Sequence, residues 1–183
     1  MMRKQLRPFY TPEEYANVYS TQFNHANWSA HIERVNKTIR VLDKFAYNTH
    51  SQSVADLSCG DGAILEGSRH PWQKKWTGDY TTTGPIETTI QLLPHVDMFV
   101  LSETLEHIED PDDLLVKIRD RTDHLLLTTP HGEDTDENPQ HYWGWDREAL
   151  ALMLDAAGFN VGECELFTPK SNEYYTFQIW TCS

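Results

Sequence analysis

The chain is poor in cysteine and has no long apolar runs. Its 183 residues include three cysteines, Cys59, Cys164 and Cys182, which cannot form a disulfide framework and favour a reduced, cytoplasmic compartment. No apolar stretch approaches the roughly 18 residues that a membrane-spanning helix needs, and the first ten residues lack the apolar segment of a signal peptide. We therefore expect a cytoplasmic protein without a membrane partner.

Basic residues are also scarce. The sequence has 15 lysines and arginines against 28 aspartates and glutamates, a formal net charge of −13, which repels polyanions and argues against nucleic acid as a partner. Internal repeats and low-complexity linkers are absent, so the length predicts a single domain, 1–183, with residues 1–48 as a helical N-terminal cap. Both a monomer and a homodimer are compatible with this composition.

The most informative stretch is 53–62, where an apolar run ends at two glycines and a helix is predicted from Ala63. Glycine tolerates positive φ and lets backbone N–H groups approach a ligand closely at a helix start. A dinucleotide-binding turn would carry a third glycine, which this chain lacks, and Asp61 would repel a pyrophosphate. The turn therefore favours a ligand without phosphates.

A second acidic position follows at the end of the next predicted strand. Asp79 lies 23 residues after Asp56, and a carboxylate at about that interval accepts hydrogen bonds from ribose hydroxyls in nucleotide-binding α/β folds. Together with the glycine turn, Asp79 predicts a cofactor that contains a nucleoside.

The turn resembles the first motif of the class I S-adenosylmethionine-dependent methyltransferases, in which an acidic residue, two variable positions and a small residue precede Gly-x-Gly. The matching positions are Asp56, Cys59, Gly60 and Gly62, whereas Ser58 stands where the family most often has glycine. Later segments are similar to the family's fourth strand, the loop after it, its fifth strand and its late helix-then-strand passage, in that order: 96–103, 104–111, 124–130 and 141–159. The resemblance spans roughly residues 50–165.

Periodicity predicts alternating strands and helices. The strands are expected at 53–58, 76–80, 86–91 (a weak one), 97–102, 124–129, 160–167 and 173–181, and the core helices at 63–68, 111–120 and 146–157. This alternation favours a parallel sheet with both faces covered, and the last two strands should form a hairpin. The family resemblance implies the same α/β class: a doubly wound, mostly parallel, seven-stranded, Rossmann-like sheet with an antiparallel last strand.

Two helices are predicted ahead of the sheet, one starting at Pro12 and one over 28–46. In the second, the apolar stripe runs through Ile32, Val35, Ile39, Leu42 and Ala46. The basic residues of this helix are expected mostly on its solvated face: Arg34, Lys37, Arg40 and Lys44.

The resemblance implies S-adenosyl-L-methionine as cofactor and S-adenosyl-L-homocysteine as product. It implies that Gly60 and Gly62 give backbone access to the methionine part, that Asp79 binds both ribose hydroxyls, and that Asp56 orders the turn. The full predicted cofactor set comprises Asp56, Ser58, Cys59, Gly60, Asp61, Gly62, Asp79, Tyr80, Ser102 and Glu103. The residue that contacts adenine is left unassigned.

Methyl transfer is an in-line displacement, and a hydroxyl acceptor needs a base or a metal to take its proton. The predicted catalytic residues are Glu103, His107 and His141. Alternatively, Glu103, Glu106, His107 and His141 hold Mg²⁺ or a transition metal, since their spacing resembles the ubiquinone-pathway O-methyltransferases and the small-RNA 2′-O-methyltransferases. In a third interpretation, Glu106 and His107 only brace their loop, as in metal-free members of the family.

The aromatic residues of the N-terminal segment and of the loop 131–145, which contains the acidic segment 133–137, are expected either to form a lid over the substrate or to pack as core. The function predicted from all these features is methyl transfer to a small-molecule acceptor, at oxygen first, with nitrogen or carbon as further choices. The alternatives are an RNA or DNA methyltransferase of the Glu-x-x-Glu-His type and a catalytically silent cofactor-binding subunit.

Overall fold

The computed structural model describes residues 2–132 and 138–183. The acidic segment 133–137, predicted to lie in a cleft-side loop, falls outside these residues. Within the described part of the chain, no helix is both long and apolar enough to cross a membrane.

Strands and helices alternate along the chain, as the periodicity predicts. The strands are β1 Arg3–Gln5, β2 Ser53–Asp56, β3 Lys74–Thr77, β4 Val96–Ser102, β5 Thr122–Pro130, β6 Trp143–Trp145, β7 Val161–Phe167 and β8 Phe177–Cys182. The α-helices are α1 Pro12–Val18, α2 Ser29–Thr49, α3 Ala63–Gly67, α4 Tyr80–Thr83, α5 Ile86–Thr89, α6 Pro111–Arg119 and α7 Arg147–Ala156. Single 3₁₀ turns form at His25–Asn27, Ile90–Leu92 and Leu105–His107.

The main sheet has the strand order β3-β2-β4-β5-β8-β7. The strands β3, β2, β4 and β5 are parallel, and β8 is antiparallel to both β5 and β7. This arrangement confirms the mostly parallel sheet with an antiparallel last strand. The sheet of the described residues has six strands, so the prediction of a seventh strand is wrong.

The missing strand was predicted at 86–91, a segment that is helical instead. Pro85 precedes the helix, and its carbonyl accepts hydrogen bonds from the hydroxyls of Thr88 and Thr89 at 2.9 and 3.2 Å. Ile86 and Ile90, four residues apart, are both buried, as one face of a helix requires. The apolar residues of this short segment therefore follow a helical period, and β3 becomes the edge strand.

The hydrophobic core lies on both faces of the sheet. Along β4, Met98 and Val100 pack with α2 residues on one face, whereas Phe99 and Leu101 pack with α6 and α7 on the other. This alternation follows from the two-residue period of a strand. Because the central strands are buried on both faces, polar groups collect at their carboxyl ends.

The start of the chain forms a second, two-stranded sheet that the sequence did not predict. Strand β1 pairs antiparallel with β6, and the Leu6 amide donates to the Tyr142 carbonyl at 2.7 Å. The first residues thereby support the segment that contains His141. The division into a 1–48 cap and the rest stays a prediction, although α2 itself packs directly on the sheet.

Candidate functional site

A cavity of about 620 Å³ opens at the carboxyl ends of β2 and β4. Ligands of open α/β sheets bind at this edge, and the volume lies in the range typical of small-molecule sites. Its walls come from strand ends, from α1 and α2, and from the segment before β6; they include Tyr15, Tyr19, Arg34, Ser58, Asp79, Tyr80, Ser102, Glu103, His107, His141 and Phe177.

The glycine turn after β2 has the backbone geometry that its sequence requires. Gly60 and Gly62 have φ values of 53° and 80°, in the left-handed region that favours glycine. The turn is tied to the end of β3, since the Cys59 amide donates to the Gly78 carbonyl and the Gly78 amide to the Asp56 carbonyl, both at 2.9 Å. This frame fixes the floor of the cavity beside Asp79.

Ser58, the position that departs from the resembled motif, has a structural partner. Its Oγ accepts a hydrogen bond from Thr104 Oγ1 at 2.8 Å, which ties the turn to the segment after β4. On the outer side of the turn, Gln22 Nε2 donates to the Gly60 carbonyl, so the N-terminal segment covers the turn. Asp61 Oδ1 accepts from the Ala63 amide at 3.2 Å and thereby stabilises the start of α3.

The predicted cofactor residues divide into two groups. Those that line the cavity are Ser58, Asp79, Tyr80, Ser102 and Glu103. The others, which shape the turn behind the cavity wall, are Asp56, Cys59, Gly60, Asp61 and Gly62. The side chains of the first group are therefore the direct candidates for ligand contact.

Asp79 holds two elements together. One carboxylate oxygen accepts from the Gly60 amide at 3.2 Å, and the other accepts from the Thr81 amide and hydroxyl at 3.1 and 2.8 Å. Asp79 is thus the N-cap of α4, a one-turn helix that the sequence analysis missed. The Tyr80 ring that follows lies 5.1 Å from that of Tyr15, between ring centroids.

Asp56 lies beneath the turn and is 2% exposed. Its Oδ1 accepts a hydrogen bond from the Ser58 amide at 3.2 Å. Burial raises the pKa of Asp56 to about 7, and the nearby carboxylate of Asp79 contributes in the same direction. The structure therefore places Asp56 as an ordering residue of the turn, outside the cavity lining.

Glu103, directly after β4, has a strained backbone. Its φ of 50° is in the left-handed region, which is uncommon for a residue other than glycine and is found at functional sites. Two bonds to Thr128 on β5 hold it there: the Glu103 amide donates to the Thr128 carbonyl at 2.9 Å, and Thr128 Oγ1 donates to Glu103 Oε1 at 2.8 Å. In this conformation Glu103 lines the cavity.

Three of the four residues of the metal alternative come together. The ligand atoms of Glu106, His107 and His141, hereafter the Glu-His cluster, all lie within 4.8 Å of one another, and Glu103 is not part of this group. His107 and His141 line the cavity, whereas Glu106 is 1% exposed behind them. Burial raises the pKa of Glu106 well above its ordinary value, and the neighbouring charge of Glu103 raises it further.

Hydrogen bonds orient the His107 ring. Its Nδ1 lies 2.8 Å from the Gln140 carbonyl and 3.0 Å from the Tyr19 hydroxyl, and its Nε2 lies 3.8 Å from Glu106 Oε1. A proton on Nδ1, donated to the carbonyl, leaves Nε2 as the basic nitrogen. Burial raises the pKa of the Tyr19 phenol, which therefore stays protonated beside His107.

The predicted aromatic lid is only partly present. Tyr15, Tyr19, Phe23 and Trp28 line the cavity. In the segment before α7 the large rings serve packing instead: Trp145 is 1% exposed, Tyr142 is buried, and Trp143 Nε1 donates to the Ile108 carbonyl at 2.8 Å.

The prediction of a solvated position is wrong for Arg34, which is fully buried and lines the cavity. Ile32, expected on the apolar stripe, is instead 42% exposed. Arg34 precedes the buried Thr38 and Leu42 by four and eight residues, so it lies on the inner face of α2. That spacing was the available signal, and the preference of arginine for water obscured it.

No family model and no curated protein sequence matches this chain. Solved structures do match. Magnesium protoporphyrin IX methyltransferase from Synechocystis PCC 6803 has a TM-score of 0.64 at 13% identity, covering 93% of this chain and 92% of its own. The 1,6-didemethyltoxoflavin-N1-methyltransferase of Burkholderia thailandensis has a TM-score of 0.63 at 15% identity, covering 96% of this chain and 91% of its own. The N-methyltransferase NodS of Bradyrhizobium japonicum WM9 has a TM-score of 0.63 at 13% identity, covering 83% of this chain and 86% of its own.

The chain has the Rossmann-like methyltransferase fold. This finding confirms the predicted fold class, apart from the strand count. At such low identities the likeness extends to the fold alone, and the chemistry has to be argued from the site.

Proposed function

We propose that the protein is an S-adenosylmethionine-dependent methyltransferase that acts on a small molecule. The observation that carries the proposal is Asp79, whose carboxylate joins the end of β3 to the Gly60 amide at the wall of the cavity. A carboxylate in this place is suited to ribose hydroxyls. The similar Synechocystis and Burkholderia enzymes were crystallised with S-adenosylhomocysteine, which supports the same cofactor here.

The residues present fit this cofactor. Asp79 has acceptor capacity left for a ribose hydroxyl. Gly60 and Gly62 lie behind the cavity wall, where their positive φ values shape the turn that positions Ser58 and Asp79. Tyr80 lies beside Asp79 as a ring that can cover the nucleoside. When bound, the cofactor supplies an activated methyl group on a sulfonium, so the protein mainly has to provide orientation and proton transfer.

His107 is the proposed base for a hydroxyl acceptor. Its Nδ1 lies against the Gln140 carbonyl, which leaves Nε2 to accept a proton, and the ring lines the cavity. Glu103, which lines the same cavity and has a strained backbone, is the second candidate, and His141, 4.8 Å from His107 between ring centroids, is the third. These roles favour oxygen as the methylated atom.

The Glu-His cluster also allows a metal-assisted version of this reaction. Glu106 Oε1 is buried without a hydrogen-bond partner among the described residues, and two imidazoles lie beside it. The bracing interpretation rests on Glu106 Oε2, which accepts from Thr129 Oγ1 at 3.1 Å, and on the bonds of His107 Nδ1. Of the two, we favour bracing through Glu106 Oε2 and His107 Nδ1, because these bonds hold the loop without an ion, and we add to it the base role of His107 Nε2.

Isothermal titration with S-adenosylhomocysteine tests the cofactor, and methyl transfer from labelled S-adenosylmethionine tests the acceptor class. We expect saturable binding, and label incorporation with a small-metabolite extract but none with RNA or DNA. Absence of binding at millimolar concentrations of the nucleoside refutes the proposal. Labelled nucleic acid would replace the small-molecule assignment, and binding without any transfer would indicate a silent subunit.

A further inference from the structure

Arg34 is a buried cation without a direct ion pair. Its charge acts at longer range on the buried carboxylates of Asp56 and Glu106, where it lowers the pKa against the larger effect of burial. The Arg34 side chain is completely buried on α2, and Nη1 donates to Ser102 Oγ at 2.7 Å. Among the described residues, its Nε and Nη2 atoms have no hydrogen-bond partner, and no carboxylate oxygen lies within the 4.0 Å of an ion pair. Arg34 nevertheless belongs to the cavity wall, although its Nε and Nη2 atoms have almost no accessible surface, so a ligand contacts them only if neighbouring side chains shift.

Two donors of this buried cation are left unsatisfied, and an anion in the cavity would satisfy them. Arginine does not lose its proton in proteins, and burial of an unpaired charge costs free energy that a paired charge recovers. The planar fork of a guanidinium matches a carboxylate or a phosphate. Because Glu103 and Asp79 line the same cavity, a singly charged carboxylate fits better than a doubly charged phosphate.

An aromatic wall, formed by Phe23, His31, Tyr175 and Phe177, leads from the cavity mouth to Arg34. Phe23 is 46% exposed, and its ring centroid lies 5.5 Å from that of His31, which lies 6.3 Å from that of Phe177. The Tyr175 and Phe177 rings are stacked at 6.2 Å, and the Arg34 Cζ lies 5.7 Å from the Phe177 centroid. Tyr175 and Phe177 are near parallel, at 25°, whereas the other two ring pairs are inclined at 58° and 64°, so a flat aromatic ligand meets both faces and edges along this path.

We propose that Arg34 and the aromatic wall form the acceptor half of the cavity, and that the acceptor is a planar aromatic compound with a carboxylate. This inference rests on the proposed methyltransferase function. The strand order separates Asp79 from the aromatic wall, because Asp79 follows β3 at one edge and Phe177 begins β8, four strands away, or roughly 19 Å at about 4.8 Å per strand. Arg34 lies between them, bonded to Ser102 at the end of β4, two strands from β3.

The test uses two probes of the same shape, the neutral 2-naphthamide and the anionic 2-naphthoate. Each is titrated into the protein with and without saturating S-adenosylhomocysteine. We expect naphthoate to bind the unmodified protein at least about tenfold more tightly than naphthamide. Arg34→Met should abolish this preference, and Arg34→Lys should retain only part of it, because lysine keeps the charge but lacks the fork. Arg40→Met, an exposed site on the same helix, is the matched control and should bind like the unmodified protein.

The proposed cofactor also carries a carboxylate, which could itself bind Arg34. A separate titration tests this alternative. S-adenosylhomocysteine and 5′-methylthioadenosine, which lacks the amino-acid end, are each expected to bind the Arg34→Met variant as they bind the unmodified protein. A tenfold loss for S-adenosylhomocysteine alone would assign Arg34 to the cofactor and overturn the acceptor proposal. Equal naphthoate affinity in the unmodified protein and in Arg34→Met would overturn it as well.

Failure of the proposed function gives a different result: the unmodified protein would bind neither nucleoside, while the naphthoate preference is still measurable without them. Folding is checked by thermal unfolding without ligand. Arg34→Met should still unfold in one cooperative transition, which shows that the variant is folded before its affinities are compared. If that variant does not fold, Phe177→Leu provides the second test and should weaken both naphthyl probes.

Discussion

Replacement of Asp79 by asparagine is the most direct test of the cofactor site. A carboxylate accepts up to about four hydrogen bonds, and three acceptor positions are already occupied, by the Gly60 amide and by the Thr81 amide and hydroxyl. One position therefore remains for a ribose hydroxyl while Thr81 keeps its place. Asparagine preserves the size of the side chain and an acceptor oxygen but removes the charge.

The expected loss follows from this count. One charge-assisted hydrogen bond is worth about 1.5–3 kcal/mol, so Asp79→Asn should weaken S-adenosylhomocysteine binding about 12- to 150-fold. If both ribose hydroxyls bind the carboxylate, as the family resemblance implies, Thr81 has to turn away and the loss should exceed about 150-fold. Isothermal titration calorimetry at one ionic strength distinguishes a carboxylate that binds one ribose hydroxyl from a carboxylate that binds both.

Asp43 provides the matched control. It also accepts from a serine hydroxyl and from a backbone amide, Ser68 Oγ at 2.6 Å and the Arg69 amide at 3.0 Å, but it does not line the cavity. Asp43→Asn should therefore leave the affinity unchanged, even if it lowers the unfolding midpoint. An Asp79→Asn variant that binds S-adenosylhomocysteine within about twofold of the unmodified protein refutes the ribose contact.

Three further predictions concern the Glu-His cluster, Asp56 and Gly162. A chelator should leave the unfolding midpoint unchanged, because hydrogen bonds already hold the cluster; a midpoint that falls on chelation and recovers with Mn²⁺ or Zn²⁺ would establish metal binding there. Because burial raises the pKa of Asp56 from 3.8 to about 7, the folded state binds more protons than the unfolded state between these values, and the free energy of unfolding should fall as pH rises through that window. Asp56→Asn should flatten this slope in urea titrations, and an unchanged slope would contradict the assignment. Gly162→Ala should lower the free energy of unfolding by about 1–3 kcal/mol, because the added Cβ would meet the Thr181 carbonyl oxygen at 2.3 Å. In the control Gly67→Ala, the added Cβ meets only the flexible end of the Ile39 side chain, at 2.5 Å, so the free energy of unfolding should fall by less in the same urea titration.

The features that sequence reasoning captured have strong local signals. The turn at Gly60 and Gly62 combines a buried strand with two glycines, and both glycines have positive φ. Helix α6 begins after Asp110, whose Oδ1 accepts from the Asp113 amide at 3.0 Å, as an N-cap before proline predicts. Strand β4 was predicted within one residue, because the unbroken apolar stretch 98–101 is bounded by the polar residues Asp97 and Ser102.

The features that sequence reasoning missed depend on contacts between residues that are far apart in the sequence. Strands β1 and β6 have three residues each and no alternating pattern, so only their pairing defines them. Helix α4 depends on the side chain of Asp79, which the sequence analysis had assigned to a ligand alone. The position of Arg34 required the knowledge that α2 turns its polar residue toward the sheet end, and the grouping of Glu106 with His141 required the loop geometry.

The ribbon of β1 and β6 fastens the first few residues to the segment that brings His141 to the cavity. Arg7 Nη1 donates to the Asn138 carbonyl, and the Tyr10 hydroxyl donates to the Pro139 carbonyl at 2.9 Å, so the chain start holds the residues just before His141. Proteolytic trimming at this end would therefore loosen His141 without touching it. An affinity tag intended to leave turnover undisturbed should not pull on this ribbon.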